Sequence, residues 1–159
     1  MLQQKSALQN TLYEQDFYAW TQQQIELLKT QNWQDLDLEN VIEEIASLGR
    51  QQRQELRNRL SILLAHLLKW EFQSQKRSRS WLATIRIQRI DIMDLLIDNP
   101  SLKPYAAEAI ARAYRKSISI AVQETDLPNQ TFPRECPYLF DNILADDFYP
   151  GESSELIDE

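Results

Sequence analysis

"LENVIEEIASLGRQQRQELRNRLSILLAHLLKWEF", residues 38–72, decides the fold. Val41, Ile42, Ile45, Leu48, Gln52, Leu56, Leu60, Leu63, Leu64 and Leu67 recur at steps of three and four. That spacing gathers side chains on one side of an α-helix, whereas a half-buried strand needs alternation at every second residue. No proline interrupts the stretch. It predicts one long amphipathic helix over about 38–72, or two collinear helices meeting at Gly49. One helix is the expectation, because an interior glycine costs only about 1 kcal/mol relative to alanine. "GRQQRQE" (49–55) is the most polar part and is expected to project into water.

Working outward, Asp16 is the expected N-cap of a first helix, with Phe17, Trp20, Gln24, Leu27 and Leu28 on its inner side. "QNWQDLD" (31–37) breaks that pattern and offers Asp37 as the next cap. After the long helix, "QSQKRSRS" (73–80) turns the chain, and Ser78 or Ser80 can cap a third helix reaching about Asp98. Its expected inward stripe is Trp81, Ile85, Gln88, Ile92 and Leu95. Asn99 and Pro100 stop it, Asn by tolerating a left-handed cap and Pro by ending the hydrogen-bond ladder. A fourth helix starts near Ser101, with Pro104 in its first turn and Ala106, Ala109, Ala113, Ser117 and Ala121 on one close-packing side. Pro128, Pro133 and Pro137 then punctuate the chain before a short helix around "YLFDNILADDF" (138–148). The expected architecture is all-α: a single-domain antiparallel bundle of about four principal helices over residues 1–150, with an acidic, frayed tail at 151–159.

The 159 residues, 43% apolar and 26% charged, suffice for a core without covalent staples. A lone cysteine, Cys136, excludes an internal disulfide and points to a reducing compartment. No apolar run approaches the roughly 18–20 residues of a membrane span, and the N-terminus has no apolar signal core. A soluble cytoplasmic protein is expected, with no membrane partner and no cofactor. The net charge of −7 conceals an uneven layout. Residues 1–49 carry two cations and eight acids, residues 50–89 ten cations and two acids, and residues 120–159 one cation and ten acids. A basic middle therefore lies between acidic flanks.

"LYEQDFYAW", "LENVIEEIASLG", "LLAHLLKWEFQSQKRSRSW", "TIRIQR", "NPSL", "FPRECPY" and "DDFYP" together make the chain resemble a largely cyanobacterial family known as domain of unknown function 29. The resemblance runs from about Leu12 to Pro150. It implies an all-helical, soluble bacterial protein and no particular activity. One departure from the family pattern is Ser74, which follows Gln73 where proline is expected.

The candidates for chemistry are few. His66 is the one side chain that ordinarily titrates near neutrality, and no carboxylate stands near it on its own helix to orient it as a base. The alternative is an interface histidine satisfied by hydrogen bonds. Asp16, Glu43 and Glu44 are candidates for an enzyme with His66, or for a hard-cation site. The plainer reading makes Asp16 a cap and the two glutamates surface charges, and no metal is expected. Cys136, between Glu135 and Pro137, reads as a small buried hydrophobe in a turn rather than a nucleophile.

The basic middle is the strongest functional lead. Arg50, Arg53 and Arg57 share a side of the long helix, Arg79, Arg86 and Arg89 share a side of the third, and Arg77 lies between. With Trp70 or Trp81 exposed beside them, these cations would suit phosphates and stacked bases. Both tryptophans also fit core stripes, and the acidic flanks could neutralise the arginines internally. The expected function is a non-catalytic interaction with a protein partner or a second copy through this basic surface. The alternatives are a small nucleic-acid-binding or regulatory protein, and an enzyme around Asp16, Glu43, Glu44 and His66.

Overall fold

The computed structural model describes residues 12–157. It is all-α, and no strand occurs among the described residues. The longer helices are α1 (Phe17–Lys29), α2 (Leu38–Phe72), α3 (Arg79–Asp98) and α4 (Ala106–Thr125), followed by the short α5 (Phe140–Leu144). α2 passes through Gly49 unbroken, as the apolar spacing predicts. The chain divides into two compact units, Met1–Gln51 and Gln52–Glu159, with α2 contributing to both.

In the first unit α1 and the start of α2 form a helical hairpin. The Asp16 carboxylate accepts from the Ala19 N–H at 2.9 Å and caps α1. At the other end Gln31 takes a left-handed conformation (φ 56°), the Gln31 N–H reaches the Leu28 carbonyl, and the Asn32 N–H reaches that of Leu27. This is a Schellman closure with glutamine at the position glycine usually takes. Asp37 then joins the helices: it accepts from the Trp20 indole N–H at 3.0 Å and from Asn40, while its own N–H donates to Gln24 Oε1 at 2.8 Å. Tyr13, just ahead of α1, donates to Glu44. Pairing of 20 with 37 and of 13 with 44 makes the hairpin antiparallel. Trp20 and Gln24 are its buried residues on α1, with Tyr13 and Phe17 packed on the Trp20 ring.

The second unit is an up–down–up arrangement of three helices. Arg59 on α2 pairs with Asp91, and Lys69 sits 4.3 Å over the Trp81 ring, so α3 runs antiparallel to α2. On α4, Tyr105 just before its start bonds Arg57, and Thr125 at its end accepts from Gln73 at 3.1 Å, so α4 runs parallel to α2. The core gathers Leu56, Leu60, Leu63, Leu64, Leu67 and Trp70 against Ile85 and Ile92 of α3 and the alanines of α4. Ala106, Ala109, Ala113, Ser117 and Ala121 are all buried, as the small-residue spacing predicts. Burying each large apolar side chain contributes roughly 1.5–3 kcal/mol.

Ser78, rather than Ser80, caps α3 by accepting from the Trp81 N–H. Ser74–Lys76 form a 3-10 turn at the position where the family pattern suggested proline. α3 is rotated by about one residue from the expected stripe: Leu82, Ile85, Arg89, Ile92 and Leu96 face inward, and Trp81, Gln88 and Leu95 are half-buried. Asn99 ends α3 with φ −130°, not in the left-handed cap expected of it, and Pro100–Tyr105 form a 3-10 segment before α4 begins. Beyond Asp126, in the left-handed region, the proline-punctuated segment lays Phe132, Tyr138 and Ile143 into the core. The tail also departs from expectation. Instead of fraying at Gly151, residues through Ile157 turn back, and Leu156 and Ile157 pack against the core cluster.

Candidate interaction surface

Charge alone does not keep an arginine on the surface, and the basic middle divides accordingly. Arg89 is 1% exposed. Its guanidinium donates to the carbonyls of Ile143 at 2.8 Å, Asp146 at 3.3 Å and Phe148, and stacks 4.9 Å from the Tyr149 ring. Five N–H donors in a rigid fork allow one arginine to satisfy several carbonyls where α5 ends. Burial lowers its pKa, but an arginine remains charged there. Arg89 therefore leaves the surface that Arg79, Arg86 and Arg89 were expected to share.

Arg77 acts similarly. It donates to the Trp70 carbonyl at 2.8 Å and to those of Glu152 and Ser153 at 2.8 and 3.2 Å, holding the tail against the end of α2. Gly151 makes this approach possible. At φ +84° it adopts a conformation that side-chain-bearing residues rarely take, and an added Cβ would meet Arg77 Nη2 at 3.3 Å and Glu71 Cα at 3.4 Å. Arg57 is tied to Gln54 and, at 2.7 Å, to the Tyr105 hydroxyl. Arg53 lies over the Tyr105 ring, and Arg50 pairs with Glu43 at 2.6 Å. Arg79 and Arg86 remain exposed, along a groove shared with Leu82, Ala83, Ile87 and Leu156. Trp70 is fully buried, and Trp81 is partly buried with Lys69 over its ring.

The candidates for catalysis have local structural roles. Asp16 caps α1, Glu43 pairs with Arg50, and Glu44 accepts from Tyr13, whose pKa rises mainly because of that hydrogen bond. His66 is half-buried with Nδ1 3.0 Å from the Ile62 carbonyl. Its pKa is lowered, first by burial and then by Lys69, which holds the ring neutral. Lys69 is itself buried and paired with Glu124. Among the described residues no group of three or more His, Cys, Asp and Glu side chains is placed to hold a metal ion. Near Cys136, whose thiol burial pushes up, Tyr114 donates to the Pro133 carbonyl at 2.8 Å and has its pKa raised to about 12, chiefly by burial. Tyr138 donates to Glu71 at 2.5 Å and is raised further still. These hydroxyls stay protonated and fasten the proline-rich segment to α2 and α4.

The apolar stripe of α2 continues into the first unit, where it is exposed. Leu38, Ile42, Ile45 and Leu48 are 58–64% exposed. They repeat the spacing of the buried Leu56, Leu60, Leu63 and Leu67, yet nothing among the described residues covers them. On α1, Phe17, Ile25 and Leu28 are 41–49% exposed. Scattered exposed leucines are ordinary, but a contiguous apolar stripe at helical spacing is a candidate contact surface.

No helix among the described residues is long and apolar enough to cross a membrane. Comparison with curated proteins and with solved structures finds no match to either. A family model does match, over residues 12–149, which is nearly the whole chain: it is the domain of unknown function DUF29. The chain belongs to that family.

Proposed function

We propose that this is a non-catalytic cytoplasmic bacterial protein that acts by binding another protein, and that its contact surface is the apolar side of the helical hairpin. The observation that carries the reading is the stripe Leu38–Ile42–Ile45–Leu48, exposed at more than half its surface on a rigid helix. Arginine engagement supports it as well: Arg89, Arg77 and Arg57 bond to carbonyls and a tyrosine of the same chain, which favours a protein contact over a phosphate track. The nearby cations Arg50 and Arg53 then form a rim for the apolar stripe, an arrangement common at protein interfaces.

The test is capture from native-cell extract by the immobilised chain and by Ile45→Glu. Retention of a protein, including further copies of this chain, by the native form and not by the variant is the expected result. Retention that is indifferent to Ile45→Glu, or that consists of nucleic acid released by nuclease or moderate salt, would sink the reading.

A further inference from the structure

A two-helix hairpin has no interior of its own, and this one leaves an apolar side open. Phe17, Ile25 and Leu28 on α1 are rotated from the buried Trp20 and Gln24 in one sense. Leu38, Ile42 and Ile45 on α2 are rotated in the same sense from Asp37 and Glu44, which meet α1. Because the helices are antiparallel, equal rotations place both sets on the same side of the hairpin. From their fractional exposures, these residues with Leu48 present roughly 700 Å² per copy, more than the few hundred Å² that monomers usually leave open. Two such sides pressed together remove roughly 1,400 Å², within the ~1,200–2,000 Å² of a stable interface.

Charge indicates what the occupant is. Along α2 the acids Glu39 and Glu43 stand seven and three positions before Ala46, the neighbour of Ile45, and the cations Arg50 and Arg53 stand four and seven positions after it. All four flank the stripe on the same edge at helical spacing. A second α2 laid antiparallel across Ile45 sets the acidic end of each copy against the cationic end of the other, twice over. A parallel pairing puts this edge of the two copies on opposite sides of the seam, where the four charges do not meet. Such self-complementarity is what a two-fold, isologous contact requires. Apolar residues in the middle with a charged edge also give register as well as affinity.

Resting on the contact surface proposed above, we infer that the occupant is a second copy of this chain, with the two hairpins joined about a two-fold axis near Ile45 into a four-helix bundle.

The experiment is sedimentation equilibrium of the full chain, native and variant, with circular dichroism to confirm retained helix. The native chain should sediment at twice its 18.8 kDa, and Ile45→Glu at 18.8 kDa with unchanged helicity. Two charge-reversed chains then test the orientation: one carries Glu39→Lys and Glu43→Lys, the other Arg50→Glu and Arg53→Glu. Each alone repels its own copies and should be monomeric, while an equimolar mixture should associate, because every edge contact is again between opposite charges. A native chain monomeric at high concentration, or reversed chains that do not associate on mixing, overturns the inference. A monomer that still captures another protein through Ile45 overturns self-pairing alone. A monomer whose capture ignores Ile45→Glu overturns the interaction reading too.

Discussion

Arg89 Nε and the Ile143 carbonyl are joined by a 2.8 Å hydrogen bond across 54 positions of sequence. With the bonds to Asp146 and Phe148, one guanidinium satisfies the carbonyls of a segment too irregular to satisfy them itself. Arg89→Met keeps much of the volume and removes every donor. It should lower unfolding free energy by about 3 kcal/mol or more, since buried acceptors lose their partners. Arg89→Lys should recover only part, because an ammonium cannot fork across separate carbonyls. Urea denaturation of the three proteins measures both. Equal midpoints for native and Arg89→Met would refute the role.

Gly151→Ala forces a side chain into a left-handed backbone conformation and toward the Glu71 backbone. A loss of about 1–2 kcal/mol is expected, concentrated in the tail. Limited proteolysis should therefore cleave the variant faster after residue 150 while leaving α2 to α4 protected. Cleavage at the native rate would show that the turn tolerates a Cβ.

Gly49→Ala should act in the opposite direction. Gly49 lies inside α2, and a Cβ built there meets nothing within 4 Å. Removing the backbone freedom of glycine from an open helical position should stabilise the protein by about 0.5–1 kcal/mol, read as a raised thermal midpoint. A lowered midpoint would mean that this position needs to bend.

His66 gives a pH dependence of definite sign. Burial and Lys69 hold its folded pKa below the ordinary value of 6.5, so the unfolded chain binds the proton more readily. Stability contributed by the neutral ring is present above that ordinary value and is lost as pH falls through the folded pKa. His66→Gln should flatten the stability profile on the acid side of pH 6.5 and leave it unchanged near pH 8. A profile as steep as that of the native chain would assign the acid sensitivity to other groups.

Much of the fold is legible in the sequence because its determinants are local. The boundaries of α2 follow from apolar spacing and the absence of breakers, and Asp16 and Ser78 cap helices through hydrogen bonds spanning three residues. What local pattern leaves open is rotation and cover. The spacing of α3 allows an inward set through Gln88 or one through Arg89. The choice falls to Arg89 because of carbonyls more than fifty residues away. Periodicity likewise identifies which side of α2 is apolar along residues 38–67, but not where a neighbouring helix stops covering it. The stripe through Ile42, Ile45 and Leu48 is an open surface for that reason. The tail was misjudged from its acidity: Leu156 and Ile157 outweigh its charges, and Arg77 binds its carbonyls, to which side-chain charge is irrelevant.

The long reach of Arg89 also orders events during synthesis. While α3 leaves the ribosome, its inward cation has no partner, because the carbonyls of Ile143, Asp146 and Phe148 follow it by more than fifty residues. A bare guanidinium inside a closing core is unfavourable, so the three-helix unit completes its packing only once residues 143–148 have docked on α3.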